Sequence, residues 1–251
     1  MNRLEPTSYQ RLLATDTERM ASIDPDALTT EVPHLDGWTV HSVVGHTGWL
    51  LRFIASNLDA PPDEAPPRSS IGEPPVGADV LAWYAEGANQ LQTKLAEADL
   101  DEMHPSWLGP VPSSWWLRRV THEVAMHRWD ACSAADRTAP DETEQIDTDL
   151  ARDGIDEMLE VFVPNRLQFD VLEGSGETIH LHATDAPNGE WLMNLQPEAV
   201  SWEHGHAKGD VAARGSMSDL LLLMWSRLPA SAVEVFGDAA LLNRWQSAAK
   251  F

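Results

Sequence analysis

The chain has 251 residues, 43% of them hydrophobic, so it can bury a sizeable core in one large domain or two modest ones. Forty acidic residues against seventeen basic ones give a formal net charge of −23, which excludes nucleic-acid binding through a basic face and attraction to an anionic membrane. The single cysteine, Cys132, excludes an intramolecular disulfide and a multi-cysteine metal cluster. We see no secretory signal and no apolar run near the roughly 20 residues that span a bilayer, so we expect a soluble cytoplasmic protein.

Apolar residues recur at helical spacing through the first 163 residues. The clearest run begins after Thr39, a predicted N-cap, and places Val43, Leu50 and Ile54 on one face. Residues 59–79 carry six prolines and no apolar period, which predicts an extended surface loop. The pattern as a whole predicts five helices, covering approximately residues 9–23, 40–57, 79–98, 113–135 and 147–162.

After Pro164 the apolar period shortens towards two, as in β-strands. Ile179 and Leu181 alternate with His180 and His182, which we expect to be solvated. Strands are predicted within residues 177–185, 189–195, 198–204, 209–215 and 232–238, and helices within 216–228 and 238–249. The sequence therefore predicts an α plus α+β protein, with a helical bundle over residues 1–163 and a smaller α+β domain over 164–251.

The segment THEVAMHRWD, residues 121–130, carries the most informative chemistry. It lacks the H-E-x-x-H zinc motif because Met126 stands where the second histidine would be. Glu123 and His127 are four residues apart, about 40° around a helix, so their side chains share one face. A carboxylate and a neutral imidazole suit zinc, nickel or iron.

A third ligand is predicted on the preceding helix. His46 lies three residues after Val43 and four before Leu50, so we expect it to point into the bundle. Such a histidine is either a hydrogen-bonded core residue or a metal ligand, and with the pair on the other helix both readings stay open.

Three stretches resemble one known family. GWTVHSVVGHTGWLLRF and RRVTHEVAMHRWDA are similar to the N-terminal half of the mycothiol-dependent maleylpyruvate isomerase family, a DinB-like four-helix bundle. The stretch from Gly209 to Trp245 resembles that family's C-terminal domain, which is compared with sterol-carrier-protein folds. The resemblance covers nearly the whole chain, in the expected order.

The resemblance implies a site and a reaction. His46, Glu123 and His127 would hold one divalent metal, usually zinc, with nickel or iron as alternatives. Mycothiol would be the cosubstrate, and the activity would be isomerisation of the maleylpyruvate type or thiol S-transfer to a small electrophile. Arg227 would contact substrate, although it equally fits a helix C-terminal cap. We expect a monomer or homodimer acting on small molecules.

Two other functions stay open at this point. The chain could be a non-enzymatic protein that binds a metal or small ligand, or a metal-dependent hydrolase that needs no thiol.

Neighbours of the predicted ligands complete the expectations. Asp130 is three residues after His127 and could orient its ring. At least one of Arg118 and Arg119 is expected at the surface, and His122 is expected to be exposed.

Overall fold

A computed structural model describes residues 3–136 and 145–250. The chain forms two compact units, one spanning Leu4–Glu144 and the other Gln145–Phe251 together with the first three residues. The boundary predicted between residues 163 and 164 therefore lies inside the second unit. The physical reason is that the amphipathic helix Thr148–Glu157 packs on a helix of the C-terminal unit.

The first unit is a four-helix bundle, as the family resemblance implied, and the fifth helix predicted from periodicity lies in the second unit. In it, α1 packs against α4 and α3, and α2 packs against α3 and α4. A two-stranded hairpin of β1 and β2 precedes the last helix. The bounds are α1 Pro6–Ala21, α2 Val40–Leu58, α3 Asp79–Glu97, β1 Met103–His104, β2 Val111–Pro112 and α4 Ser113–Ala135.

Local chemistry accounts for the position of α2. The Thr39 side chain accepts a hydrogen bond from the Ser42 backbone N–H, and Ser42 caps in return, so the predicted N-cap is confirmed. Further along, Gly48 faces α3 so closely that a Cβ there would lie 2.6 Å from the Trp83 ring. A residue without a side chain is what permits this spacing between the two helices.

The proline-rich segment between α2 and α3 is a loop, as predicted, with one short 3-10 turn at Arg68–Ser70. It folds over the N-terminal half of α2. His41 Nε2 lies 3.1 Å from the Pro75 carbonyl oxygen, and a Cβ on Gly45 would lie 3.1 Å from Pro74. Arg68, in the same loop, lies beside this helix, with its guanidinium carbon 5.5 Å and 5.7 Å from the centres of the Trp49 and Phe53 rings.

Helix α4 is buried around most of its circumference, and this corrects two expectations. Arg118 and Arg119 are both buried, although one of them was expected at the surface. His122 is also buried, with its ring 6.3 Å from that of Tyr9, rather than exposed. The prediction assumed a solvent-facing stripe, whereas α4 has packing partners on several sides.

The second unit combines short helices with a sheet. Helix α5 continues through a π-helical turn at Met158–Phe162 into α6, which contains Pro164. The bounds are α5 Thr148–Glu157, α6 Val163–Arg166, α7 Phe169–Leu172, β3 Glu177–Ala183, β4 Glu190–Gln196, β5 Ala199–His204, β6 Val211–Gly215, α8 Met217–Met224, β7 Glu234–Gly237 and α9 Ala239–Ala248.

The five strands form one sheet in the order β5-β4-β3-β6-β7, in which β3 and β6 are parallel and all other pairs antiparallel. Helices α8 and α9 pack on it, over inward residues such as Ile179, Leu181 and Trp191. On the opposite face His180 is only 4% exposed, so the expectation that it is solvated was wrong. The predicted fold class, a helical domain followed by an α+β domain, is confirmed.

None of the helices within residues 3–136 and 145–250 combines the length and apolar character that a membrane span needs.

Candidate metal centre

The bundle brings the three predicted ligands together. His46 lies on α2, while Glu123 and His127 lie on α4, which packs against α2. The ring centroids of His46 and His127 are 5.1 Å apart, and Glu123 Oε2 lies 3.7 Å from His127 Nε2. Two imidazoles and a carboxylate thus converge from two helices.

Glu123 lies between two other polar side chains on one face of α4. The guanidinium of Arg119, one turn earlier, places Nη2 3.5 Å from Glu123 Oε2. His127, one turn later, meets the same oxygen. The i, i+4 spacing of a helix produces this row, as the sequence predicted for Glu123 and His127.

Asp130 orients the His127 ring, as predicted. Its carboxylate is fully buried and lies 3.0 Å from His127 Nδ1. A carboxylate only accepts hydrogen bonds, so Nδ1 donates to Asp130, and Nε2 is the ring nitrogen turned towards Glu123. The other oxygen of Asp130 lies 2.6 Å from His34 Nε2, which donates to it.

His46 meets His127 between the two helices, as expected of a residue that points into the bundle, but it is not buried there. Because the residue is exposed, this side of the centre is open to solvent. Protein atoms crowded around the ring nevertheless disfavour its charged form and lower the pKa of His46, and the nearby His127 and Arg68 act in the same direction. Glu123 opposes them. A lowered pKa keeps the imidazole neutral, which is the form that binds a metal.

The donor set fits a divalent metal. Two imidazole nitrogens and one carboxylate oxygen form a three-ligand set that leaves a coordination position for an exchangeable group. Asp130 supplies the outer hydrogen bond that commonly fixes a histidine ligand. These features support the predicted ligand roles of His46, Glu123 and His127, which remain predictions.

Arg227 lies in the second unit, after helix α8. Its Nη1 donates to the Trp225 carbonyl oxygen at 3.0 Å, and its guanidinium carbon is 5.9 Å from the centre of the Trp225 ring. The first contact is that of a helix C-terminal cap, the alternative reading of this residue. Its predicted contact with substrate stays a prediction.

Sequence reasoning missed two residues of this centre. His34 lies in the segment before α2 and has no periodic signal, so only the folded chain shows its contact with Asp130. Arg68 lies in the proline-rich loop, 5.5 Å from the centre of the Trp49 ring. An arginine in a loop otherwise rich in acids and prolines was the one available signal for it.

The chain thus belongs to a class of two-domain proteins in which a four-helix bundle carrying a His/Glu/His cluster is followed by a five-stranded α+β unit. The model of the mycothiol maleylpyruvate isomerase N-terminal domain matches residues 11–132, and the model of the MDMPI C-terminal domain matches residues 149–244. The chain therefore belongs to the mycothiol-dependent maleylpyruvate isomerase family.

Solved structures agree on the fold. The crystal structure of a mycothiol-dependent maleylpyruvate isomerase is similar with a TM-score of 0.60 and 14% identity, covering 92% of this chain and 93% of that one. The histidine-to-alanine mutant of such an isomerase gives a TM-score of 0.63 at 16% identity, with the same coverage of 92% and 93%. No curated protein sequence matches the chain.

Proposed function

We propose that this chain is a thiol-dependent isomerase of the maleylpyruvate type, with mycothiol as its cosubstrate. The observation that carries the proposal is the convergence of His46, Glu123 and His127 inside a chain whose two domains both match one isomerase family.

The three donors would hold a divalent metal, with zinc the first expectation and nickel or iron the alternatives. When bound, such an ion would lower the pKa of a small thiol and make its thiolate available at neutral pH. The thiolate would add to the cis double bond of maleylpyruvate, and rotation followed by loss of the thiol would give the trans product.

In this reaction the protein would position the metal ligands and neutralise the negative charge of the substrate. Asp130 holds the proton on His127 Nδ1, which keeps Nε2 free as a ligand. The exposure of His46 gives reactants access to the centre. The Cys132 thiol is buried and has no role in the proposed reaction.

An anionic substrate also needs cations in a strongly acidic protein. Arg68 is exposed and close enough to lower the pKa of His46, which makes it our first candidate for binding a substrate carboxylate. Arg227 is the second candidate, carried over from the family resemblance. Replacing Arg68 by glutamine should raise KM for maleylpyruvate more than it lowers kcat.

The decisive experiment measures loss of maleylpyruvate in the presence and absence of mycothiol and zinc, using the parent protein and the His127→Ala variant. We expect turnover that needs both additions and is abolished by the substitution. His41→Gln is the matched control, because His41 lies on α2 but contacts the Pro75 carbonyl instead of the centre. Full activity of His127→Ala would overturn the proposal.

The products separate this activity from the alternatives. A stable thioether would identify an S-transferase, and product formed without any thiol would identify a hydrolase. Saturable binding of the substrate without turnover would identify a binding protein. A cytoplasmic location and a monomeric or homodimeric state remain predictions.

A further inference from the structure

A second group of metal-ligating side chains lies in the C-terminal unit. It consists of His180, His182, Glu190 and His206, and one ligand atom from each lies within 4.8 Å of every other. We call it the sheet cluster. Neither the family resemblance nor the proposed reaction uses it.

Strand geometry builds most of the cluster. His180 and His182 are two residues apart on β3, so both side chains leave the same face of the sheet. Glu190 on the antiparallel strand β4 pairs directly with His182. Side chains paired in this way lie close enough to interact.

The fourth member arrives from the loop between β5 and β6. This loop returns against β3 at Gly209, where a Cβ would lie 3.0 Å from the backbone nitrogen of His180. The close approach brings His206 over the strand face, with its ring centroid 5.2 Å from that of His180. Three imidazoles from two separate segments therefore meet at one carboxylate.

All three rings point at the same oxygen. Glu190 Oε2 lies 2.9 Å from His180 Nε2, 3.2 Å from His182 Nδ1 and 2.6 Å from His206 Nδ1. In acid, one carboxylate could offset only one of the three imidazolium charges. In the neutral state the four groups offer three nitrogen donors and one oxygen donor to a common point.

We propose that the sheet cluster is a second divalent-metal site with three histidine ligands and one glutamate ligand. A set of three nitrogens and one oxygen is typical of zinc, and by the usual order of affinities also accepts cobalt, nickel and copper. Because the cluster lies wholly within the C-terminal unit, this proposal does not depend on the function assigned to the bundle.

The surroundings suit an ion that exchanges with solvent. His180 is buried, and burial lowers its pKa, so its ring is available as a neutral ligand. His206 is exposed and can admit the ion. A cavity of about 470 Å³ adjoins the cluster, lined by Glu190, His206, Arg152, Asp156, Asn188 and His204.

The test counts metal ions bound to the full-length protein. The parent, His182→Ala and His204→Ala proteins are each loaded with zinc, desalted and analysed by mass spectrometry for zinc per chain. His204 is the matched control because it lines the same cavity but pairs with Asp156, at 3.2 Å, outside the cluster. We expect His182→Ala to hold one zinc fewer per chain than the parent, and His204→Ala to match the parent.

Affinity and geometry give a second readout. Chelator competition should show zinc binding weakened more than about 100-fold in His182→Ala, beyond the usual loss for a residue that only orients a ligand. Cobalt(II) added to the parent should give the intense visible absorption of a four-coordinate site, and His182→Ala should lose the part of it due to the cluster.

The outcomes separate this proposal from that for the bundle. Adding His127→Ala should remove the bundle ion and leave the cluster ion in place. Equal zinc content in the parent and His182→Ala would overturn the proposal. So would equal losses in His182→Ala and His204→Ala, which would indicate an adventitious ion only.

Discussion

Replacing Asp130 by asparagine tests how the bundle orients its predicted metal ligand. The buried carboxylate accepts hydrogen bonds from His127 Nδ1 at 3.0 Å and His34 Nε2 at 2.6 Å. Asparagine has a single oxygen acceptor, so its amide N–H group would face one of the two rings. If it faces His127, the proton moves to Nε2 and the ligand lone pair is lost.

The size of the effect follows from the bond that is lost. A hydrogen bond to a charged group contributes about 1.5–3 kcal/mol, and outer partners of metal ligands contribute about 10- to 100-fold in affinity. We therefore expect Asp130→Asn to weaken zinc binding at the bundle by about 10- to 100-fold.

Zinc titration against a chromophoric chelator measures this affinity, and circular dichroism checks that the variant is folded. Glu97→Gln, at the exposed end of α3, is the matched control for loss of one acidic charge. If Asp130→Asn binds zinc as tightly as the parent while His127→Ala does not, Asp130 has no orienting role.

Three further predictions concern stability. Gly48→Ala should destabilise the bundle by about 1–3 kcal/mol in urea unfolding, because its Cβ would lie 2.6 Å from the Trp83 ring. An unchanged unfolding midpoint would show that α2 and α3 can move apart with no loss of stability. The hydrogen bond from Arg244 lowers the pKa of Glu177 from 4.5 to about 2, so its stabilisation is present above pH 4.5 and is lost as the pH falls towards 2. Glu177→Gln should therefore cost less than about 1 kcal/mol at pH 7 and almost nothing near pH 2, and an equal cost at both would contradict this. Leu150→Ala should lower the free energy of unfolding by about 2–5 kcal/mol. Because this buried leucine belongs to the C-terminal unit, hydrogen exchange should accelerate after residue 145. Acceleration confined to the bundle would instead support a domain boundary after residue 163.

Periodicity predicted most of the fold because each element carries its own local signal. The face of Val43, Leu50 and Ile54 and the cap at Thr39 located α2 to within a residue of its observed start. The domain boundary had no such signal. Helix α5 looks the same from sequence whichever unit it packs against, and only tertiary contacts assign it.

The candidate site was predictable where helical spacing determines it and unpredictable where loops contribute to it. Glu123, His127 and Asp130 follow from helical spacing alone. His34 and Arg68 come from loops, whose paths depend on contacts such as that between Gly45 and Pro74. The sheet cluster was missed for the same reason, since alternation assigned His180 to an outer face but gave no sign of the loop that covers it.

The buried arginines of α4 change how a charged reactant reaches this protein. Arg119 and Arg128 direct their charges inwards, to Glu123 and Asp16, and Arg118 is also buried. The field felt at long range is therefore that of a polyanion, and it repels an approaching dicarboxylate. For the proposed reaction, added salt should speed capture of the substrate by screening this repulsion, the reverse of what electrostatic steering produces in most enzymes with charged substrates.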